Sequence, residues 1–250
     1  MLTSGIGCTP PAALELASYS DSVAGAGGIG NAWESEIYAK GRQINRWPFS
    51  DVVADVTRLT AGLDRSKLAV LELGCGTGNN IWFFLDCGFE VCGIDIAPTA
   101  IALASDYVRS FGFSEADLRV GDIAGLPWES DSFDFVVDRG VLSQLTLDDV
   151  ARTITEVFRV LKPGGRFLSY DLFGWNNSGR QFGVEVSPRS YANFSGGRLF
   201  GKSPRTTFFD RELISEMWRP LRVVDLVRHQ VVKGEAEDVD EYYTVQAVKD

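Results

Sequence analysis

The sequence predicts an α/β protein built on an open, mostly parallel sheet with helices on both faces. Three observations carry that prediction. Apolar runs of strand length alternate with helix-patterned segments through the middle of the chain. The first of these runs closes on Glu72 and passes through Gly74, Gly76 and Gly78 into a new apolar stretch from Ile81 to Leu85. The next run closes on a second acid, Asp95. A strand, a tight glycine turn and a helix leave backbone bare enough for a ligand to rest on it, and the second acid suits a carboxylate gripping a ribose diol.

Bulk properties bound the function. A chain of 250 residues suits one large domain, or a domain with a modest cap, and a hydrophobic share of 45% is ample for a core. The net charge of −10, from 24 basic and 34 acidic residues, argues against a nucleic-acid partner. No apolar run approaches the ~20 residues of a membrane helix, and residues 1–9 lack the basic start and apolar centre of a secretory signal. The cysteines (Cys8, Cys75, Cys87, Cys92) form no C-x-x-C pair and His229 is the single histidine, so no metal-ligand spacing is present. A reduced, cytoplasmic setting is the plain expectation.

Residues 1–30, rich in Gly, Ser and Ala, read as a flexible arm. Residues 31–65 read as a helical cap or lid. Trp33 and Ile37 suit packing on the core, while Tyr38, Arg46 and Trp47 suit reaching a ligand. Val52, Val53, Val56 and Leu59 then repeat at helical spacing, with Gly62 as a stop. Beyond the glycine turn, residues 89–95 form a strand, and Pro98 fits the first turn of a helix through Ile101, Ala104 and Val108. Strands follow at 118–120 and 133–138. Thr146 with Asp149 makes a capping box for a helix through Val150, Ile154, Val157 and Leu161, which residues 162–165 end. Residues 166–170 give the fifth strand. Asp210 caps a last helix, and two strand-like segments, 221–232 and 242–248, flank an acidic loop at 235–241.

Residues 172–209 interrupt this rhythm. They hold Arg180, Arg189, Arg198, Lys202 and Arg205 against Glu185, a local excess of positive charge in an acidic protein, together with eight aromatic residues. A connection of this length carries its own small elements or a function. Arginines among rings suit a small anionic or planar molecule.

The residues then resemble a family. E-L-G-C-G-T-G at 72–78, Asp95, G-D-I at 121–123 and E-V-F-R-V-L-K-P-G-G-R-F at 156–167 look like class I S-adenosylmethionine-dependent methyltransferases. A dinucleotide dehydrogenase would space its third glycine differently and lacks the acid before the first. The resemblance implies a Rossmann-like, seven-stranded, mostly parallel sheet with an antiparallel last strand, occupying residues 66–250. It also implies S-adenosyl-L-methionine as cofactor and S-adenosyl-L-homocysteine as product. Gly74, Gly76 and Gly78 would let the methionine part lie against backbone, with Cys75 as a small side chain in the turn. Glu72 would orient the turn through the cofactor's ammonium group. Asp95 would accept the ribose hydroxyls, with Ile96 against the adenine. Asp122 would take the adenine amino group, with Ile123 over the ring. Asp138, Arg139 and Gly140 would approach the sulfonium.

The acceptor is expected to be a small anionic, aromatic or sugar-like molecule methylated on O or N, with no nucleic-acid or membrane partner. Monomer and homodimer are both compatible. Where many relatives carry a histidine, V-L-S-Q-L has Ser143 and Gln144. A general base is needed only for a hydroxyl or protonated amine acceptor. Asp138, Tyr170 and Asp171 fall at the expected mouth, with Asp171 the candidate base. The alternative, from another class, is a cofactor-binding protein that has lost transfer and serves as a partner or scaffold.

Overall fold

The computed structural model describes residues 32–114, 116–233 and 238–250, so the arm expected at 1–30 lies outside the described residues. Its α-helices, among the described residues, are α1 Ser50–Leu59, α2 Asn79–Asp86, α3 Pro98–Ser110, α4 Leu147–Val160 and α5 Arg211–Met217. The main-sheet strands are β1 Ala69–Leu73, β2 Glu90–Asp95, β3 Asp117–Val120, β4 Phe133–Arg139 and β5 Leu161–Phe173, then β9 Arg222–Lys233 and β10 Asp238–Val248. They form one seven-stranded sheet in the order β3-β2-β1-β4-β5-β10-β9. β1 to β5 run parallel, and β10 is antiparallel to both of its neighbours. The sheet class and the reversed last strand therefore match the sequence reading.

Both faces are covered, as a near-continuous apolar β1 requires. On one face, Val150, Ile154 and Val157 of α4 and Ile214 of α5, followed by Trp218, pack on Leu71, Leu73, Val136 and Phe167. On the other, Val52 and Val56 of α1, Ile81 and Phe84 of α2, and Ile101 and Val108 of α3 pack on Val70, Val137 and Leu168. Local signals set the helix ends. Thr146 Oγ1 accepts from the Asp149 amide, Asp210 Oδ1 accepts from the Leu213 amide, and Pro98 stands in the first turn of α3. The order reverses between β1 and β4, and at such a switch point the carboxyl ends of the strands leave a crevice.

Three boundaries differ from the sequence reading. β5 begins at Leu161, so residues 162–165 lie within a strand instead of ending a helix. β10 begins at Asp238, which draws Asp238, Asp240 and Glu241 out of the expected acidic loop and into the sheet. Trp33–Ile37 and Tyr38–Lys40 are single turns of wide and tight helix, leaving residues 41–49 as an irregular strap.

The segment at 172–209 carries its own small sheet: β6 Val184–Ser187, β7 Ser190–Ala192 and β8 Arg205–Thr207. Its core is Phe194, Leu199 and Phe208 with Phe173, Trp175 and Tyr191 against it. The fully buried Glu241 of β10 anchors it, accepting from the Asn176 amide at 3.1 Å and from Gln230 Nε2 at 2.7 Å while pairing with Arg228 at 2.5 Å. Glu241→Ala leaves these donors unpaired beside a space at the root of the insertion. We expect a loss of about 2–3 kcal/mol, because the half-exposed Arg228 can rehydrate and softens the full cost of breaking a buried pair. Urea denaturation checks this, and an unchanged midpoint would remove Glu241 from the role of anchor.

Candidate active site

One cavity of about 520 Å³ opens at the switch point, bounded by the glycine turn, the ends of β2, β4 and β5, the strap, β10 and the insertion. It has two halves. The first is lined by Glu72, Gly74, Cys75, Gly76, Asp95, Ile96, Asp122 and Ile123, with Trp33 and Tyr38 from the amino-terminal side.

The glycine turn demands glycine sterically. Gly74 has φ +58°, and a Cβ there would stand 2.3 Å from a Val141 methyl. Gly78 has φ +84°, with Ala104 backbone only 3.1 Å from where a Cβ would be. Glu72 reaches this turn from β1 at 4% exposure. Its Oε1 accepts from Asn80 Nδ2 at 2.7 Å, while its buried Oε2 has no partner among the described residues. Burial pushes the Glu72 carboxyl up to about 8, partly opposed by the Asn80 bond. Asp95 holds the turn together, taking the Gly76 amide on one oxygen and the Ala97 amide on the other, each at 2.9 Å. Burial raises it to about 6 against those two bonds. Asp122 accepts from the Ala124 amide at 2.9 Å and faces the same half. Burial also raises the Cys75 thiol, so Cys75 is an inert small side chain.

The second half is lined by Phe49, Arg139, Asp171, Phe173, Tyr242 and, from the insertion, Arg198, Lys202 and Ser203. Arg139 Nη1 pairs with Asp171 at 2.6 Å, and its guanidinium lies 3.8 Å from the Phe49 ring centroid. Asp171 adopts φ +54°, a left-handed conformation that costs a non-glycine residue on the order of 1 kcal/mol. Ser143 Oγ secures it by donating to the Asp171 carbonyl at 3.0 Å and accepting from the Phe173 amide at 2.9 Å. Burial raises the Asp171 carboxyl, with Arg139 opposing.

The structure separates the residues expected at the mouth. Asp171 lines the cavity; Asp138 and Tyr170 do not. Asp138 is completely buried, bound to the Val141 and Leu142 amides and to Ser169 Oγ, and burial raises it to about 7. It shapes the backbone of residues 139–141, of which Arg139, Gly140 and Val141 line the cavity. Tyr170 projects into the α1 face, where its hydroxyl donates to Asp55 at 3.1 Å. Its neighbour Asp171 reaches the cavity from its left-handed backbone conformation. Tyr38, in the turn before the strap, lines the cavity, but Arg46 and Trp47 of the strap are exposed outside it, and Trp47 meets Trp82 edge-on at 6.3 Å. Their carbonyls are used instead: Tyr107 donates to the Arg46 carbonyl and Asn79 to the Trp47 carbonyl.

Much of the insertion's positive charge is also spent internally. Arg189 pairs with Asp210, Arg180 lies over Trp175, Arg205 donates to the Gln144 carbonyl, and Arg198 pairs with Asp240. Sequence reasoning missed Tyr242 and Asp240, both lining residues on β10. Asp240 falls in the segment read as an acidic loop, and the register that sets Tyr242 opposite Phe173 of β5 is not written in the local sequence.

Known proteins share this architecture. Residues 70–165 match the family model described as a methyltransferase domain. A probable S-adenosylmethionine-dependent methyltransferase of Mycolicibacterium smegmatis is 34% identical over 144 residues, covering 58% of this chain and 46% of that protein. A SAM-dependent methyltransferase structure from Methanosarcina mazei superposes with TM-score 0.64 at 22% identity, covering 77% of this chain and 96% of that one. A 1,6-didemethyltoxoflavin-N1-methyltransferase of Burkholderia thailandensis, solved with its acceptor and S-adenosylhomocysteine, gives 0.58 at 20% identity, covering 85% and 83%. The chain spans less than half the length of the first curated relatives it matches.

Glu72, Asp95 and Asp138 are acids whose folded-state values, about 8, 6 and 7, lie above their unfolded ones. At these three sites the folded state therefore holds more protons than the unfolded state between about pH 4 and 8, and their contribution to stability falls as pH rises through that window. Asp138→Asn keeps an acceptor for both amides and can donate to Ser169. We expect this variant to lose Asp138's share of the fall, on the order of 3–4 kcal/mol between pH 4 and pH 8. Urea titrations of wild type and variant at both pH values check it, and a variant that falls as steeply as wild type over the window would contradict it.

Proposed function

We propose that the chain, whose residues 70–165 match a methyltransferase domain and which resembles S-adenosylmethionine-dependent methyltransferases, transfers a methyl group from S-adenosylmethionine to an oxygen or nitrogen of a small molecule. The observation that carries this reading is the buried oxygen of Glu72, unpartnered among the described residues, on a side chain that lines a cavity together with the glycine turn. A carboxyl group so placed fits a ligand bearing an ammonium. Around it, Gly74 and Gly76 leave room for the methionine part, Asp95 for a ribose diol, and Asp122 with Ile96 and Ile123 for an adenine. When bound, the cofactor supplies an electrophilic methyl on a sulfonium, and in-line attack upon it draws its acceleration from alignment and desolvation.

The chain's own residues supply that alignment. Phe49, Phe173 and Tyr242 offer ring surfaces for a planar or sugar-like acceptor. Lys202 lines the same half with no carboxylate partner among the described residues, which favours an acceptor carrying negative charge. Asp171, raised by burial and held by Arg139, is the group for taking a proton from a hydroxyl or ammonium acceptor. Arg139 keeps that carboxylate oriented. An intact cofactor half beside a furnished acceptor half favours transfer over a purely scaffolding role.

Isothermal titration with S-adenosylmethionine and S-adenosylhomocysteine tests the cofactor. Wild type should bind both. Asp95→Ala, which removes the ribose acceptor and frees the Gly76 amide, should weaken each by at least about tenfold, as expected for lost charge-assisted bonds. Absence of binding to wild type would end this reading.

A further inference from the structure

Glu72 and Asp171 stand in opposite halves of the cavity, and a side chain outside the lining joins them. Asn80, in the first turn of α2, is completely buried. Its Nδ2 donates to Glu72 Oε1 at 2.7 Å, and its Oδ1 accepts from the Phe49 amide at 3.0 Å. Phe49 faces the acceptor half, where its ring lies under the guanidinium of Arg139, and Arg139 in turn grips Asp171. Phe49 also begins α1, its carbonyl accepting from the Val53 amide. α1 brings Asp51 to 3.8 Å from Arg139. Two routes therefore lead from Phe49 to the Arg139–Asp171 pair.

We propose that Asn80 is a positioning residue that couples occupancy of the cofactor half to the geometry of the acceptor half. An ammonium taken up by Glu72 tightens the Asn80 link, which fixes Phe49 and, through it, Arg139 and Asp171. The proposal rests on the reading of Glu72 as the ammonium site. Its physical basis is the charge state of one bond. With no ammonium beside it, Glu72 is held toward its neutral form by burial and by the neighbouring carboxyls of Asp95 and Asp138. The bond from Asn80 is then a neutral one. Beside an ammonium, Glu72 is ionised and the same bond becomes charge-assisted, roughly twice as strong. Polarising the Asn80 amide also improves its oxygen as acceptor for the Phe49 N–H. Two hydrogen bonds strengthen together, one in each half, although the ligand touches neither Asn80 nor Phe49's amide.

The test uses S-adenosylhomocysteine as probe and reads amide exchange by NMR, with calorimetry to establish binding. In wild type, saturating ligand should slow exchange at Phe49 by about tenfold relative to the remote amide of Gly112, which donates to the Arg109 carbonyl. Asn80→Leu has a similar volume and removes both ends of the link, leaving no proton to give Glu72 and no acceptor for Phe49. It should still bind the ligand, while the Phe49 response disappears. Binding to wild type with no differential slowing at Phe49 would overturn the proposal, as would a full response in Asn80→Leu. If that variant does not fold, the wild-type comparison decides alone. Failure of wild type to bind is a different outcome: it removes the cofactor reading itself, and the calorimetry identifies it.

Discussion

Three carboxyl groups, Glu72, Asp95 and Asp138, are buried at the carboxyl ends of three adjacent parallel strands, and the site depends on keeping them there. Parallel strands bring their carbonyl ends together, and two of the three acids answer amides that the turns leave open. Asp95 takes two amides of the glycine turn and the β2 exit. Asp138 takes two amides of the β4 exit and the Ser169 hydroxyl. Of the three, Glu72 keeps an oxygen with no donor among the described residues. Asp138 is enclosed by the fold, Asp95 braces the glycine turn while lining the cavity, and Glu72 lines it with one oxygen unbonded. Hydrogen bonding and exposure to the cavity, more than the count of acids, separate Asp138, which shapes the wall from behind, from the two acids that form it.

This difference also marks what the sequence made legible. The glycine turn, Glu72 and Asp95 are local in sequence, and the spacing of acids and glycines is enough to place them together. The sheet class follows from the same alternation of strands and helices. Tyr170 and Asp171 lie beyond that kind of reading. Adjacent residues on a regular strand face opposite ways, and here the left-handed backbone of Asp171 alters the pattern at the strand's end. Nothing in the local sequence encodes the Ser143 hydroxyl that secures it. Asp240 and Tyr242 were hidden for a related reason: Tyr242 enters the site by pairing with Phe173 of β5 across a long stretch of sequence, and Asp240 by the extension of β10 along β9, opposite Val231.

The insertion shows why net charge is a weak guide to a ligand. Its arginines looked like a reception for an anion, yet Arg189, Arg198 and Arg205 each find an acceptor within the protein. An arginine held by carboxylates or carbonyls is scaffold first, since partly buried charge is retained only where it is paired. Lys202, which lines the cavity without a carboxylate partner among the described residues, carries more information about an acceptor than the whole local excess of charge.

The two halves of the cavity consequently differ in rigidity. The cofactor half is built from strand ends and a glycine turn packed on both faces of the sheet, with Cys75 in one core and Ile123 in the other. The acceptor half draws on the strap, the insertion and β10, joined by side-chain bonds such as those from Thr77 to the Asn45 carbonyl and from Gln43 to the Lys202 carbonyl. Individual side-chain bonds of this kind contribute about 1 kcal/mol each, far less than a continuous core. A precise acceptor site therefore needs support from the rigid half. Asn80 and Phe49 are where that support crosses, because α2 is fixed by the sheet and the start of α1 is fixed by α2.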